Sequence, residues 1–164
     1  MTADVNILLV VAISAALIFA LTNGLHDASS VVATFIACGA ATAKQALILA
    51  VVFGFLGSML GGSTVANTVS SIVSVNINPS LLVIILSAIL AAIGWNVLIW
   101  YFGLPSSSTH ALIGGIIGAV WAASGFHQVL WGWNELFGVP HQLTGLMKVF
   151  IGLMLAPPLG FSVA

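Results

Sequence analysis

Two short stretches of this sequence hold side chains that could do chemistry. The first is Thr22-Asn23-Gly24-Leu25-His26-Asp27. Asp27 lies inside an apolar stretch with no lysine or arginine near it in sequence. A carboxylate at membrane depth costs roughly 2.5–3.5 kcal/mol on insertion scales and is kept there for an ion site, a proton relay or a polar partner. Asn23-Gly24 reads as a polar break in a helix. A broken helix frees backbone carbonyls, the carboxylate adds charge, and Thr22 and Asn23 add neutral oxygens, a set suited to a small cation such as Na⁺. The competing reading makes Asp27 a helix N-cap at an interface. His26 has two readings: contact with substrate or a proton relay, or a satisfied polar residue beside a helix break.

The second stretch is Gly103-Leu104-Pro105-Ser106-Ser107-Ser108-Thr109-His110. Proline suits the first turn of a helix and serine caps one. The first N–H groups of a helix lack internal partners and carry about half a positive charge behind them. With the hydroxyls of Ser106, Ser107, Ser108 and Thr109 they would form an anion-binding cup. The sequence contains no arginine, so an anion would have to be held by N–H groups, hydroxyls and a bound cation. The bland alternative is a polar capping turn between two spans.

The elements that must position these groups are membrane helices. Five of the 164 residues are charged, where a soluble domain of this size would carry about 40. Residues 45–134 contain no Asp, Glu, Lys or Arg, the hydrophobic fraction is 61% and the mean hydropathy is +1.26. This excludes a soluble enzyme, a disulfide-stapled domain, a nucleic-acid binder and a disordered tail. At about 20 residues per crossing, residues 1–164 make one transmembrane domain of roughly five to seven segments. The apolar runs do not alternate, which argues against a β-barrel. The fold class is therefore all-α, polytopic and membrane-embedded, with broken helices.

Along the chain the sequence predicts a helix over 5–22, a break at Asn23-Gly24 and a second apolar stretch to Ala37. A loop follows over 40–44, then helix over 46–61, a break at Gly61-Gly62-Ser63, and a more polar stretch over 64–75. Asn76 to Ser80 reads as a turn. The cleanest span covers 81–102, and a glycine-rich helix covers 106–124. Residues 126–143, with Trp131, Trp133, Glu135, His127 and His141, suit the membrane interface. A last run, Leu143 to Leu155, ends at Pro157-Pro158, and the closing APPLGFSVA reads as the opening of another helix.

Other features are weaker. Gly57/Gly61 and Gly114/Gly118 are G-x-x-x-G pairs of the kind that let helices pack closely. Asn67, Ser70 and Ser71 share one broad helix face, which could line a path or pack against another helix, with packing preferred. Ser108 and His110 stand two apart and do not face each other on a helix. His26, His110, His127 and His141 are scattered, and no H-E-x-x-H motif occurs. Enzymatic activity is not expected.

The stretches TNGLHDASSVVATF (22–35) and GLPSSSTHALIGGIIGA (103–119) resemble the two signatures of the inorganic phosphate transporter (PiT) family, in order and at about the family's spacing. The resemblance covers most of this chain and the amino-terminal half of a full family member. It implies the first of two inverted repeats of a multi-pass cell-membrane protein. It implies symport of inorganic phosphate with Na⁺ or H⁺, no other cofactor, and a second half or a homo-oligomer completing the sites. Carried over by position, Asn23 and Asp27 would help bind the cation, with Ser30 offering a short oxygen where the family usually has asparagine. Ser106, Ser107, Ser108 and Thr109 would hold phosphate, and His110 would support the turn. The alternatives are a permease for sulfate or another oxyanion, and a membrane subunit that only scaffolds a partner.

Overall fold

The computed structural model describes residues 2–72, 79–138 and 143–163, with side chains at 2–4, 64–65, 79, 135 and 163 left aside. His141 and most of the Asn76–Ser80 turn lie outside the described residues, as does the side chain of Glu135. The elements are α1 (Thr2–Ala37), α2 (Ala43–Ser70), α3 (Pro79–Phe102), α4 (Ser108–Ser124), a 3₁₀ turn (Phe126–Gln128), α5 (Trp133–Phe137) and α6 (Gly145–Val163). Among the described residues four helices, α1, α2, α3 and α6, contain apolar stretches long enough to cross a membrane, and α4 is a shorter apolar helix.

Lipid exposure explains why most large apolar side chains point outward, among them Leu60, Phe161 and Tyr101. In a bilayer such side chains already lie in an apolar medium. What a segment must satisfy there is its backbone, and a helix does so within itself. That requirement also corrects three expected breaks. α1 runs without interruption through Asn23-Gly24, and α2 runs through Gly61-Gly62-Ser63. A mid-helix glycine costs about 1 kcal/mol, less than the several kcal/mol of an unpaired amide in hydrocarbon. α6 likewise continues through Pro157 and Pro158 to Val163, so residues 156–163 extend the last helix rather than opening a new one. Proline's fixed φ is already helical; the loss is the donors that would pair the carbonyls four residues back.

At 36 residues, α1 is roughly 54 Å long, more than the ~30 Å hydrocarbon core. It tilts or extends past the core. A glycine ends it: Gly39 takes φ +70°, and the N–H groups of Gly39 and Ala40 close on Ile36 and Phe35, the Schellman pattern. Thr42 then starts α2 with a capping box, its side chain on the Gln45 N–H and the Gln45 side chain on its own, which satisfies two otherwise unpaired donors.

α3 is the centre of the bundle, packed against α4 on one side and α1 on the other. The α3–α4 approach depends on Gly115, where an added Cβ would lie 2.6 Å from the Ala88 carbonyl oxygen. A cluster of Ile84, Val120 and Val129, flanked by Ile116, Ile117 and Trp131, fills the far end of this pair. Residues 129–132 are pinned there: the Leu130 N–H donates to Ile72, while the carbonyls of Leu130 and Trp131 accept from Leu146 and Met147.

Candidate functional site

The polar tip of α4 is built by the way α3 stops. Gly103 takes φ +64°, and the N–H groups of Gly103 and Leu104 close on Trp100 and Ile99, a second Schellman ending. The chain then turns through Pro105 into Ser107, whose extended backbone (φ −105°, ψ 118°) makes it the N-cap of α4, with its side chain accepting from the His110 N–H. The N–H groups of Ser108 and Thr109 stay at the open end of the helix, where the dipole is positive.

Two side-chain contacts, one local and one long-range, fix Ser106, which precedes the cap. The Trp95 indole Nε1–H donates to Ser106 Oγ at 3.0 Å. His26 Nε2 lies 3.1 Å from the Ser106 carbonyl oxygen; a carbonyl only accepts, so Nε2 carries the proton there. His26 itself is 8% exposed. It braces the turn, though not beside a helix break.

The site is completed by a third contact. Ser108, 1% exposed, donates through Oγ to Asp27 Oδ1 at 3.2 Å. Asp27 is half-buried in mid-helix, so the N-cap reading fails. The two stretches picked out from sequence thus meet, joining α1 to the start of α4 across 81 positions.

Other sequence-predicted residues stand differently. Asn23 is half-buried on the same helical face as Asp27. The Thr22 hydroxyl donates to the Phe19 carbonyl at 2.9 Å. Ser30 is exposed, as are Thr109 and His110. Because α1 is unbroken, its carbonyls near residues 22–24 remain in the helix ladder, and the expected free carbonyls for a cation are missing there. The G-x-x-x-G pairs were expected to seat helix contacts. Gly57, Gly61, Gly114 and Gly118 have nothing within 4 Å of an added Cβ; the contact falls one position along, at Gly115. Ser70 and Ser71 bond carbonyls of their own helix at 3.0 and 2.7 Å. Among the described residues no three His, Cys, Asp or Glu side chains gather as a metal site. Sequence reasoning missed Trp95 and Asn96, and the available signal was an indole and a carboxamide side by side inside an otherwise apolar span.

An acid and a hydroxyl-rich helix start thus meet inside a helical, multi-pass membrane protein. A model of the phosphate transporter family matches residues 23–164, and the chain belongs to that family. It is 36% identical over 155 residues to a probable low-affinity inorganic phosphate transporter of Bacillus subtilis (strain 168), covering 94% of this chain and 43% of that protein. It is 39% identical over 149 residues to one of Streptomyces halstedii, covering 90% and 69%. It is 41% identical over 118 residues to the low-affinity inorganic phosphate transporter PitA of Escherichia coli (strain K12), covering 69% and 24%. The chain therefore spans less than half the length of the Bacillus relative. No solved structure matches it.

Proposed function

We propose that this chain forms one half of a cation-coupled symporter of inorganic phosphate, with the anion held at the start of α4 and the cation beside Asp27. The Ser108–Asp27 hydrogen bond carries this reading. A phosphate received by the N–H groups of Ser108 and Thr109 would sit within a few ångströms of the Asp27 carboxylate. Two like charges ~4 Å apart repel by about 4 kcal/mol at an effective dielectric of 20. A cation seated between them, on Asp27 and Asn23, turns that repulsion into attraction. Anion and cation then bind best together, which is the thermodynamic requirement for coupled transport.

Thr109 and His110 are exposed at this tip, so the cup has an open side that a second wall would close. The relatives' greater length supports assigning that wall to a complementary half, the first of two inverted repeats being this chain. The catalysis-free character of the proposal follows from the relatives' names, which are those of transporters.

The test is phosphate uptake into vesicles that hold this chain with its complementary half. Asp27→Asn keeps a hydrogen-bonding side chain opposite Ser108 and removes the charge. Uptake is expected to fall by roughly a hundredfold, the scale of losing one preorganised electrostatic partner, and the residue to ignore a Na⁺ or H⁺ gradient. Uptake that stays cation-dependent at the unmutated rate would contradict the proposal. Sulfate competition in the same vesicles separates phosphate from other oxyanions.

A further inference from the structure

At the α4 tip the direction of three hydroxyl hydrogen bonds follows from their partners. An indole N–H and a backbone N–H only donate, and a carboxylate only accepts. Ser106 Oγ therefore accepts from Trp95 Nε1–H at 3.0 Å, and Ser107 Oγ accepts from the His110 N–H at 3.4 Å. Ser108 Oγ instead donates to Asp27 Oδ1 at 3.2 Å. A hydroxyl has one proton to give. Ser108 has committed its proton to Asp27, whereas Ser106 and Ser107 keep theirs. Both are half-buried, beside the open N–H groups of the helix start.

We propose that Trp95 is a positioning residue for the transported anion: its indole N–H fills the acceptor side of the Ser106 hydroxyl and so commits the Ser106 proton to the cup. A serine side chain has three staggered positions, and its hydroxyl rotates to suit its partners. His26 already holds the Ser106 carbonyl, so the backbone is fixed and the hydroxyl is the part left to set. The indole selects its position. An N–H received on the oxygen also polarises the O–H and strengthens it as a donor. The anion then meets a donor whose ordering cost was met before it arrived. The link to the substrate rests on the phosphate reading above.

A bland account would have Trp95 bond Ser106 only to hide its N–H from lipid. The other indoles argue against it. Trp100, Trp121 and Trp133 are exposed too, and Trp131 Nε1 is buried without a partner. Among the described residues, Trp95 is the one tryptophan whose N–H bonds another side chain. Ring packing does not explain the placement either. The Trp95 side chain is 48% exposed and lines an open groove with Ala111, Gly114 and Gly115 of α4, residues too small to grip a ring. The hydrogen bond is what ties this indole to the tip.

The experiment pairs phosphate uptake by the reconstituted transporter, complementary half included, with ¹⁵N nuclear magnetic resonance of its tryptophan indoles. Trp95→Phe keeps a ring and deletes the N–H. It is expected to raise KM for phosphate by roughly three- to tenfold, the scale of freeing one side chain among its rotamers and losing its polarisation, with Vmax within about twofold. Ser106→Ala is expected to raise KM by at least roughly tenfold, as for a lost bond to a charged group. Added to Ser106→Ala, Trp95→Phe is expected to change KM by less than about twofold, because both remove the same interaction. In the unmutated protein, phosphate shifts the Trp95 Nε1–H signal downfield as Ser106 begins to donate, and Ser106→Ala abolishes that shift. A Trp95→Phe uptake curve that overlays the unmutated one overturns the proposal, as do effects that multiply in the double variant. An indole signal that ignores saturating phosphate overturns it even where Trp95→Phe fails to assemble. Any of these results beside normal uptake by the unmutated protein sinks the role of Trp95 alone. An unmutated protein that takes up no phosphate sinks the transport reading, and this role with it.

Discussion

Hydroxyl groups behave in two ways in this protein, and the contrast separates the site from the rest of the bundle. In α2 and α6, Ser58, Ser70, Ser71 and Ser162 each donate to the carbonyl three residues back in their own helix. Thr22, Ser29 and Thr34 do likewise in α1. Such bonds hide a polar group from lipid and say nothing about where another helix lies. At the α4 tip the pattern changes. Ser108 reaches Asp27, and Ser106 is gripped by Trp95 and His26. There, hydroxyl and carbonyl oxygens hold three helices in register. A hydroxyl carries tertiary weight in lipid when its partner is on another helix.

The strongest test of that contrast is Ser108→Ala. Its hydroxyl is buried and donates to a carboxylate; bonds to charged groups contribute about 1.5–3 kcal/mol. Removing it leaves Asp27 without its partner on α4. Phosphate uptake by the reconstituted transporter is expected to fall by roughly 10- to 100-fold, with KM for the coupling cation rising as Asp27 loses its orientation. An uptake curve that overlays the unmutated protein's would place Ser108 with Ser70, as lipid-hiding only.

How much of this was legible beforehand follows the same divide. Asp27 and the run Ser106–Thr109 stood out because their residue types are expensive among apolar neighbours, and residue type is visible in one dimension. That they touch was not visible: 81 positions separate Ser108 from Asp27, and no local pattern encodes that closure. The break expected at Asn23-Gly24 is absent because an opened backbone finds no solvent in lipid, so the helix's own hydrogen bonds outweigh the glycine penalty. Asn96 was passed over because a single amide barely lowers the hydropathy of residues 81–102. The glycine pattern misled by one position: spacing names a class of contact, and helix rotation, set by the whole α3–α4 packing, selects the residue.

That last point sets a second, smaller effect. Gly115→Ala puts a Cβ 2.6 Å from the Ala88 oxygen, a backbone atom that cannot swing aside. The helices must separate, at about 1–3 kcal/mol for overpacking. A melt of the purified chain in detergent should move down by several degrees. Gly118→Ala meets nothing within 4 Å and should leave the same melt unchanged or slightly higher, since alanine favours helix. Reversal of the two would mean that the Gly114–Gly118 face, rather than Gly115, seats α4 on α3.

The smallest expected effect closes the contrast from the other side. Ser58 and Ser70 are exposed on α2 and bond the Phe55 and Asn67 carbonyls at 2.8 and 3.0 Å. In a helix those carbonyls also accept an N–H four residues on, and a carbonyl has two lone pairs. Replacing either serine by alanine therefore strands no acceptor and removes the donor together with its need for a partner, the nearly neutral case for a deleted hydrogen bond. The double variant Ser58→Ala, Ser70→Ala should melt within about 0.5 kcal/mol of the unmutated chain, as surface changes usually do, and take up phosphate at the same rate once assembled. A several-fold loss of uptake would show that the polar face of α2 meets the transported ions or the complementary half, and would move those two serines from the local class of hydroxyls into the class that Ser108 represents.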